Sequence, residues 1–182
     1  MSALRQRIAV ALLTVSAAGF AGWVANEGES TPVRAADGQT LLAPHIPTKG
    51  DVPTIGHGST RYEDGTSVKM TDPPITRERA EQLARNLMSG DERMFHASLP
   101  DVKLHQEEYD LYLDFVGQYG IGTWRKSSMR RHLLNGDYLK ACGSLLLYKY
   151  AAGFDCSTPG NRQCWGVWER QLERNQKCLD AQ

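Results

Sequence analysis

Nineteen consecutive residues without a formal charge, Ile8 to Asn26 (IAVALLTVSAAGFAGWVAN), constrain this chain more than any other feature. As one helix the run would span about 28 Å, just short of a hydrocarbon core about 30 Å thick. Arg5 and Arg7 precede it, and Glu27 and Glu29 follow. That asymmetry orients the N-terminus to the cytoplasm. Gly19, Gly22, Ser16, Thr14 and several alanines dilute Leu12, Leu13, Phe20 and Trp23, so residence in a membrane would be marginal. Ala17, Ala18 and Ala25 would also suit a signal peptidase. Taken by itself the segment leaves three readings open: a cleaved signal peptide, a retained anchor and a buried core helix. The first two place the body of the protein outside the cytoplasm.

Cysteine usage agrees with export. Cys142, Cys156, Cys164 and Cys178 all lie in the last quarter of the chain. An even count in an oxidising compartment reads as two disulfides, with three possible connectivities. Nesting Cys156–Cys164 inside Cys142–Cys178 is favoured, because the inner pair brackets the turn-rich DCSTPGNRQC loop. The outer pair would then tie two helices together. No CxxC or Cys/His spacing suggests zinc, and no metal or cofactor is expected.

The 21 basic and 21 acidic side chains cancel. The balance also holds from residue 76 onward, with 15 basic and 14 acidic. A chain with no basic face offers no electrostatic case for a nucleic-acid partner.

Residues 27 to 75 are rich in Gly, Pro, Thr and Asp and carry no sustained helical period. TIGHGST, the Asp64-Gly65 pair and the alternation around Tyr62 and Val68 predict short strands joined by tight turns. Beyond the DPPIT stretch, Thr76 is a plausible N-cap. Ala80, Leu83, Ala84, Leu87 and Met88 follow it at helical spacing as the buried face. Tyr109, Leu113, Val116 and Tyr119 mark a second helix, closed by Gly120-Ile121-Gly122. Met129, Leu133 and Leu134 mark a short third, ended at Asn135-Gly136. Residues 138–150 form a fourth, with Leu139, Leu145, Leu146 and Tyr150 as core, and 165–179 a last. The expected class is α+β: a small β-containing lobe over 27–75, then a larger helical lobe over 76–182.

Glycoside hydrolysis needs two carboxyl groups, one protonated to donate to the leaving oxygen and one ionised to activate water. Glu27 stands where the uncharged run ends and the β-lobe begins. Asp51 and Thr54 sit in or beside the VPTIGHG turn, and the Thr54 hydroxyl is suited to hold a water. At these residues the chain resembles the phage lysozymes of T-even and lambdoid phages, glycoside hydrolase family 24. That family opens its domain with an acidic residue followed by Gly, here Glu27-Gly28. A hairpin turn Thr-Ile-Gly-x-Gly follows, here Thr54-Ile55-Gly56-His57-Gly58. Residues 106–122 (QEEYDLYLDFVGQYGIG) are similar to the family's long central helix, 125–138 to its next segment, and 166–178 to its final helix. The likeness runs from about residue 26 to the end.

The resemblance implies a lysozyme-like fold and an endolysin that lyses the host cell. Its substrate bond would be the β-1,4 link between N-acetylmuramic acid and N-acetylglucosamine in peptidoglycan. Glu27 would be the general acid, and Thr54 the residue that positions the attacking water. The family's second carboxylate stands six residues before that threonine, a place that Thr48 holds here. Asp51 is the nearest carboxylate, and Asp37, in an insert around VRAADGQTLL, is the other candidate. Some relatives are exported on an uncleaved, weakly apolar helix that later leaves the bilayer, the signal-arrest-release route. Residues 1–26 would be that signal-anchor and 27–182 the lysozyme domain. The body would then sit in the periplasm on the host inner membrane until released as a soluble monomer. Two other readings remain: a lytic transglycosylase, which needs one acid and no second carboxylate, and a peptidoglycan-binding module without activity. The five histidines show no ligand spacing and are expected at the surface or in turns. Trp124, Trp165 and Trp168 are expected in the core rather than on a sugar, and Arg130 and Arg131 on a solvated face.

Overall fold

A computed structural model describes residues 6–182; Arg5, part of the orientation argument, lies outside them. In chain order the elements are β1 (Ile8–Ala9), α1 (Ala17–Glu27), β2 (Thr31–Arg34), β3 (Thr40–Ala43), α2 (Arg77–Ser98) and β4 (Lys103–Leu104). There follow α3 (Gln106–Lys126), α4 (Ser128–Leu134), α5 (Tyr138–Ser144), β5 (Tyr150–Ala151), β6 (Phe154–Asp155) and α6 (Trp165–Asp180). The chain divides into two compact units, one of residues up to Gly19 together with Glu92–Gln182, the other Phe20–Asp91.

In the first unit the uncharged run is not one helix. Ile8 and Ala9 pair antiparallel with Leu104 and Lys103, and a 3-10 turn covers Val10–Leu12. Ser16 then starts α1 as its N-cap, its Oγ accepting from Gly19 N at 3.0 Å. Backbone groups that a bilayer could not satisfy find carboxylates here. Val15 N donates to Glu92 Oε1 at 2.7 Å, and Ser16 N to Asp110 Oδ1 at 3.0 Å. Asp110 passes so close that a Cβ on Gly19 would stand 2.6 Å from its Cγ, so only glycine fits there. Arg7 donates through Nε to Glu108 Oε2 at 3.0 Å, and Glu108 is 0% exposed. No helix among the described residues is long and apolar enough to cross a membrane.

Phe95, Tyr109, Tyr112, Phe115 and Trp124 form an aromatic core in this unit, all fully buried. The Trp124 indole N–H donates to Ser98 Oγ at 2.8 Å, which satisfies the one polar atom that burial would strand. α3 runs past its expected end. Gly120 breaks it (φ +78, ψ 154), and the chain then resumes helical geometry to Lys126. Ser127 caps α4, accepting from Arg130 N at 3.1 Å, and Gly136 (φ +76) follows its end. The helix expected over 138–150 is shorter. α5 tightens to 3-10 at Leu145–Leu147, and Tyr150 opens a two-stranded hairpin turning at Ala152-Gly153, both at positive φ. Leu139 (64% exposed) and Tyr150 therefore lie outside the core, while Leu145 is buried. Arg130 is not simply solvated, since its Nε donates to Ser98 O at 2.8 Å.

Both favoured disulfides are present, Cys142–Cys178 and Cys156–Cys164. The first closes a 36-residue separation and joins α5 to α6; loop-closure entropy assigns it about 4 kcal/mol. The shorter bridge closes 8 residues and is worth about 2.5 kcal/mol on the same scale. Asp155, beside it, is held at about 2 by hydrogen bonds from Lys149 and Ser157.

α3 and α6 are joined through Asp114. Its carboxylate takes Arg174 Nε at 2.8 Å and Arg170 Nη2 at 2.5 Å, and Arg174 is 3% exposed. Burial alone would raise the Asp114 pKa, but the charges and hydrogen bonds of Arg174 and Arg170 outweigh it and hold the carboxyl below its ordinary range.

In the second unit the insert around VRAADGQTLL is a hairpin, in keeping with the short strands and tight turns expected over 27–75. β2 pairs β3 from Thr31↔Ala43 to Arg34↔Thr40, with Asp37-Gly38 at the tip. Single bridges continue the pairing: Leu42↔Ile75, His45↔Thr54, Ile55↔Ser59 and Arg61↔Ser67. Ile55, Val68 and Leu83 form the core, with Tyr62 and Ile75 against it. Thr76 caps α2 as expected, its Oγ1 accepting from Arg79 N at 3.1 Å. Ala80, Leu83, Ala84 and Met88 are buried, but Leu87 is largely exposed, because the buried stripe is narrower than the apolar one.

Replacing Asp114 by Asn leaves Arg174 buried without its counter-charge and is expected to cost about 3–5 kcal/mol in thermal or urea unfolding. Because folded Asp114 and Asp155 carry depressed pKa values, their contribution is complete above about pH 4. It is lost as pH falls toward about 2, so Tm should drop steeply across that window and less so in Asp114→Asn.

Candidate active site

Glu27 is the last residue of α1, and Gly28 follows at φ +74, the left-handed position that closes many helices. Four alanines in eleven residues favour this helix despite its two glycines.

The turn that faces Glu27 is built by two glycines. Ile55 and Ser59 exchange backbone hydrogen bonds of 2.9 and 3.1 Å, leaving Gly56-His57-Gly58 as a three-residue loop. Gly56 has φ +66 and Gly58 φ +81. A Cβ on Gly56 would also lie 2.8 Å from the Cβ of Ala80 in α2, so the loop can only sit this close as glycine. On the other side of the loop, Glu27 Oε2 lies 3.6 Å from where a Gly58 Cβ would stand. The carboxylate and the Thr-Ile-Gly-x-Gly turn are thus adjacent.

Thr54 opens that turn and is 6% exposed. It pairs with His45 through backbone bonds of 2.8 and 2.9 Å, and its Oγ1 donates to His45 O at 3.3 Å. The hydroxyl proton being engaged, the oxygen lone pairs are left to accept from a water. Two further ties join the end of α1 to this loop. Ser30 N donates to Gly56 O at 2.9 Å, and Ser30 Oγ and His45 Nδ1 hydrogen-bond at 3.1 Å. His57, 3% exposed, donates from Nδ1 to Gly28 O at 2.8 Å. His57 lies in a turn, as expected, but is buried there; His105, at the start of α3, is buried against the expectation of a surface or turn position. The sequence clue for His57 was its place between two glycines, where the loop turns its side chain inward.

Asp51 is exposed and ends a turn with Thr48, its N–H donating to Thr48 O at 2.9 Å, with Gly50 at φ +99. The ends of such a turn lie within about 7 Å of each other. The backbone at 51 is therefore folded back beside the Thr48 position. Asp37 sits at the tip of the β2–β3 hairpin, where its Oδ1 accepts Gln39 N at 2.9 Å and caps its own turn. Trp124 is core, as expected. Trp165 borders an open depression with Gly160, Asn161 and Arg162 in the first unit. Among the described residues, no group of three or more His, Cys, Asp or Glu side chains is placed to hold a metal ion.

Known proteins match this architecture. The phage lysozyme family profile matches residues 36–172. A crystal structure of a phage P22 lysozyme mutant superposes with a TM-score of 0.71 at 25% identity, covering 92% of this chain and 99% of that one. The endolysin of Escherichia coli O157:H7 phage FAHEc1 gives 0.64 at 21% identity, covering 94% and 96%. The muramidase domain of SpmX from Asticaccaulis excentricus gives 0.62 at 17%, covering 91% and 97%. These last two speak for the fold alone. No curated protein sequence is detectably similar to the chain. The class so defined is the lysozymes, glycoside hydrolases of α+β architecture. Within it, this chain belongs to the phage lysozyme family.

Gly56→Ala should lower stability by about 2 kcal/mol or more, since it combines left-handed strain of about 1–2 kcal/mol with overpacking against Ala80. Thermal unfolding of the two proteins side by side checks this; an unchanged Tm would mean the loop is free to shift away from α2.

Proposed function

We propose that this lysozyme cleaves the β-1,4 bond between N-acetylmuramic acid and N-acetylglucosamine with Glu27 as the acid and water as the nucleophile. The observation that carries the reading is the contact of the Glu27 carboxylate with the turn that begins at Thr54. In the reaction Glu27 passes its proton to the glycosidic oxygen as the bond from the anomeric carbon to that oxygen breaks. Water adds to the anomeric carbon, donating one hydrogen bond to Thr54 Oγ1 and giving its other proton to the Asp51 carboxylate. Asp51 is preferred to Asp37 because the 48–51 turn brings it beside the place of the family's carboxylate. Asp37 instead serves its own hairpin.

Residues 1–26 are proposed to export the chain and hold it at the host inner membrane, N-terminus inside, before a soluble monomer is released into the periplasm. The uncharged, weakly apolar run supports this. The bonds of Arg7, Val15 and Ser16 to Glu108, Glu92 and Asp110 in the folded protein support a segment that leaves the bilayer on release. Anchor and structural element are then two states of one segment.

The test is mass spectrometry of muropeptides released from purified peptidoglycan by the oxidised full chain. Reducing N-acetylmuramic ends are expected. Anhydro ends would replace the water by an internal nucleophile and make the enzyme a transglycosylase; no products from folded protein would make it a binder. Glu27→Gln should lose about 10²–10⁴-fold in rate. Asp51→Asn should lose far more than Asp37→Asn, and the reverse order would move the base to the hairpin tip.

A further inference from the structure

We propose that His57 is a positioning residue that holds the catalytic acid in place through the backbone of its neighbour. The inference rests on the assignment of Glu27 as the acid. Gly28, directly after Glu27, is the residue with the widest conformational freedom at the place where the site can least tolerate it. Its φ of +74 is open to no other residue type without strain, so the helix must end in a glycine and the freedom has to be removed from outside. His57 does this. Its imidazole is 3% exposed, and Nδ1 stands 2.8 Å from Gly28 O.

A carbonyl can only accept, so Nδ1 carries the proton and the tautomer is set by this bond. The bond holds the peptide plane that follows Glu27. Two residues on, Ser30 N is bound to Gly56 O and Ser30 Oγ to His45, the residue paired with Thr54. The stretch Gly28–Ser30 is therefore fastened at both ends to the loop that carries Thr54. His57 is the side chain that closes the end nearer the acid. It fills the variable place of the Thr-Ile-Gly-x-Gly turn, so the lock belongs to this sequence rather than to the turn itself. A misplacement of about 1 Å at a reacting group costs on the order of 10²-fold in rate.

The experiment compares His57→Ala, His57→Asn and His57→Gln in the oxidised full chain, reading kcat and KM on solubilised glycan strands. Asn places an amide N–H close to the Nδ1 position. Gln fills more of the volume but puts its donor one methylene further out. Positioning predicts that Ala and Gln lose about 10–100-fold in kcat with KM changed less than about threefold, and that Asn recovers most of the loss. A space-filling role would rank Gln above Asn, and that order overturns the proposal even if the Ala variant fails to fold. Parental kcat in His57→Ala overturns it as well. The pH profile of His57→Asn should keep the parental shape, because protonation at Nε2 leaves the Nδ1 bond intact. Loss of a limb between about pH 5 and 8 would make His57 a proton-transfer group instead. Glu27→Gln run alongside separates the two assignments. If it retains the parental rate, the acid is misassigned whatever His57 does; if it is inactive while His57→Ala is not impaired, only the positioning role falls.

Discussion

Glu108 is a carboxylate with no exposure, and its neutralisation by Arg7 is the interaction on which the rest of the first unit depends. A lone buried charge would cost several kcal/mol. Glu108 avoids that by accepting from Arg7, from Gln182 Nε2 and from the backbone N–H of His105. Arg7 also lies over the Tyr138 ring, 3.7 Å from its centroid. The residues that follow are drawn in with it: the β1–β4 pair, the Val15 bond to Glu92, and the Ser16 bonds to Asp110. Ser16 then caps α1, and eleven helical residues later the helix ends at Glu27. Residues 7–27 thus belong to the folded enzyme as fully as any later helix.

The second unit shows how glycines and histidines divide the work at the site. Glycines at 28, 56 and 58 supply backbone shapes that other residues resist, and they allow the close approach to Ala80 and to the Glu27 carboxylate. Such shapes come with freedom, and a catalytic group needs the opposite. Hydrogen bonds from His57 and Ser30 to the facing segment take the freedom away, and His45 links Ser30 to Thr54. The stretch after Glu27 and the strand residue Thr54 are thereby tied into one small network of short-range bonds.

Local signals in the sequence proved sound where one residue's chemistry decides the outcome. Thr76 caps α2, Gly120 breaks α3, Gly136 follows the end of α4, and the four cysteines pair as the turn-rich loop suggested. They were weaker where burial depends on what lies opposite. Leu87, Leu139 and Tyr150 fit a buried periodicity yet are exposed, because among the described residues no element covers that side of the helix or hairpin. Arg130 carried a surface signature and instead bonds the Ser98 carbonyl. The β2–β3 hairpin was covered only by the general expectation of short strands over 27–75, because four-residue strands carry too little alternation to locate.

The sequence by itself, through its resemblance to a known family, pointed to the lysozyme class and to Glu27 and Thr54 as site candidates. The order of helices and the favoured disulfide pairing rest on residue types at fixed spacing, which the chain carries whatever it packs against. Only the tertiary structure decided that Ile8–Asn26 folds as strand, 3-10 turn and capped helix instead of one long span, because the deciding partners, Glu92, Glu108 and Asp110, lie 77 to 101 residues away. It also decided that His57 turns inward onto Gly28 and that Asp51 folds back beside Thr48. Those outcomes come from hydrogen bonds between segments distant in sequence or from turn geometry, neither of which a periodicity encodes.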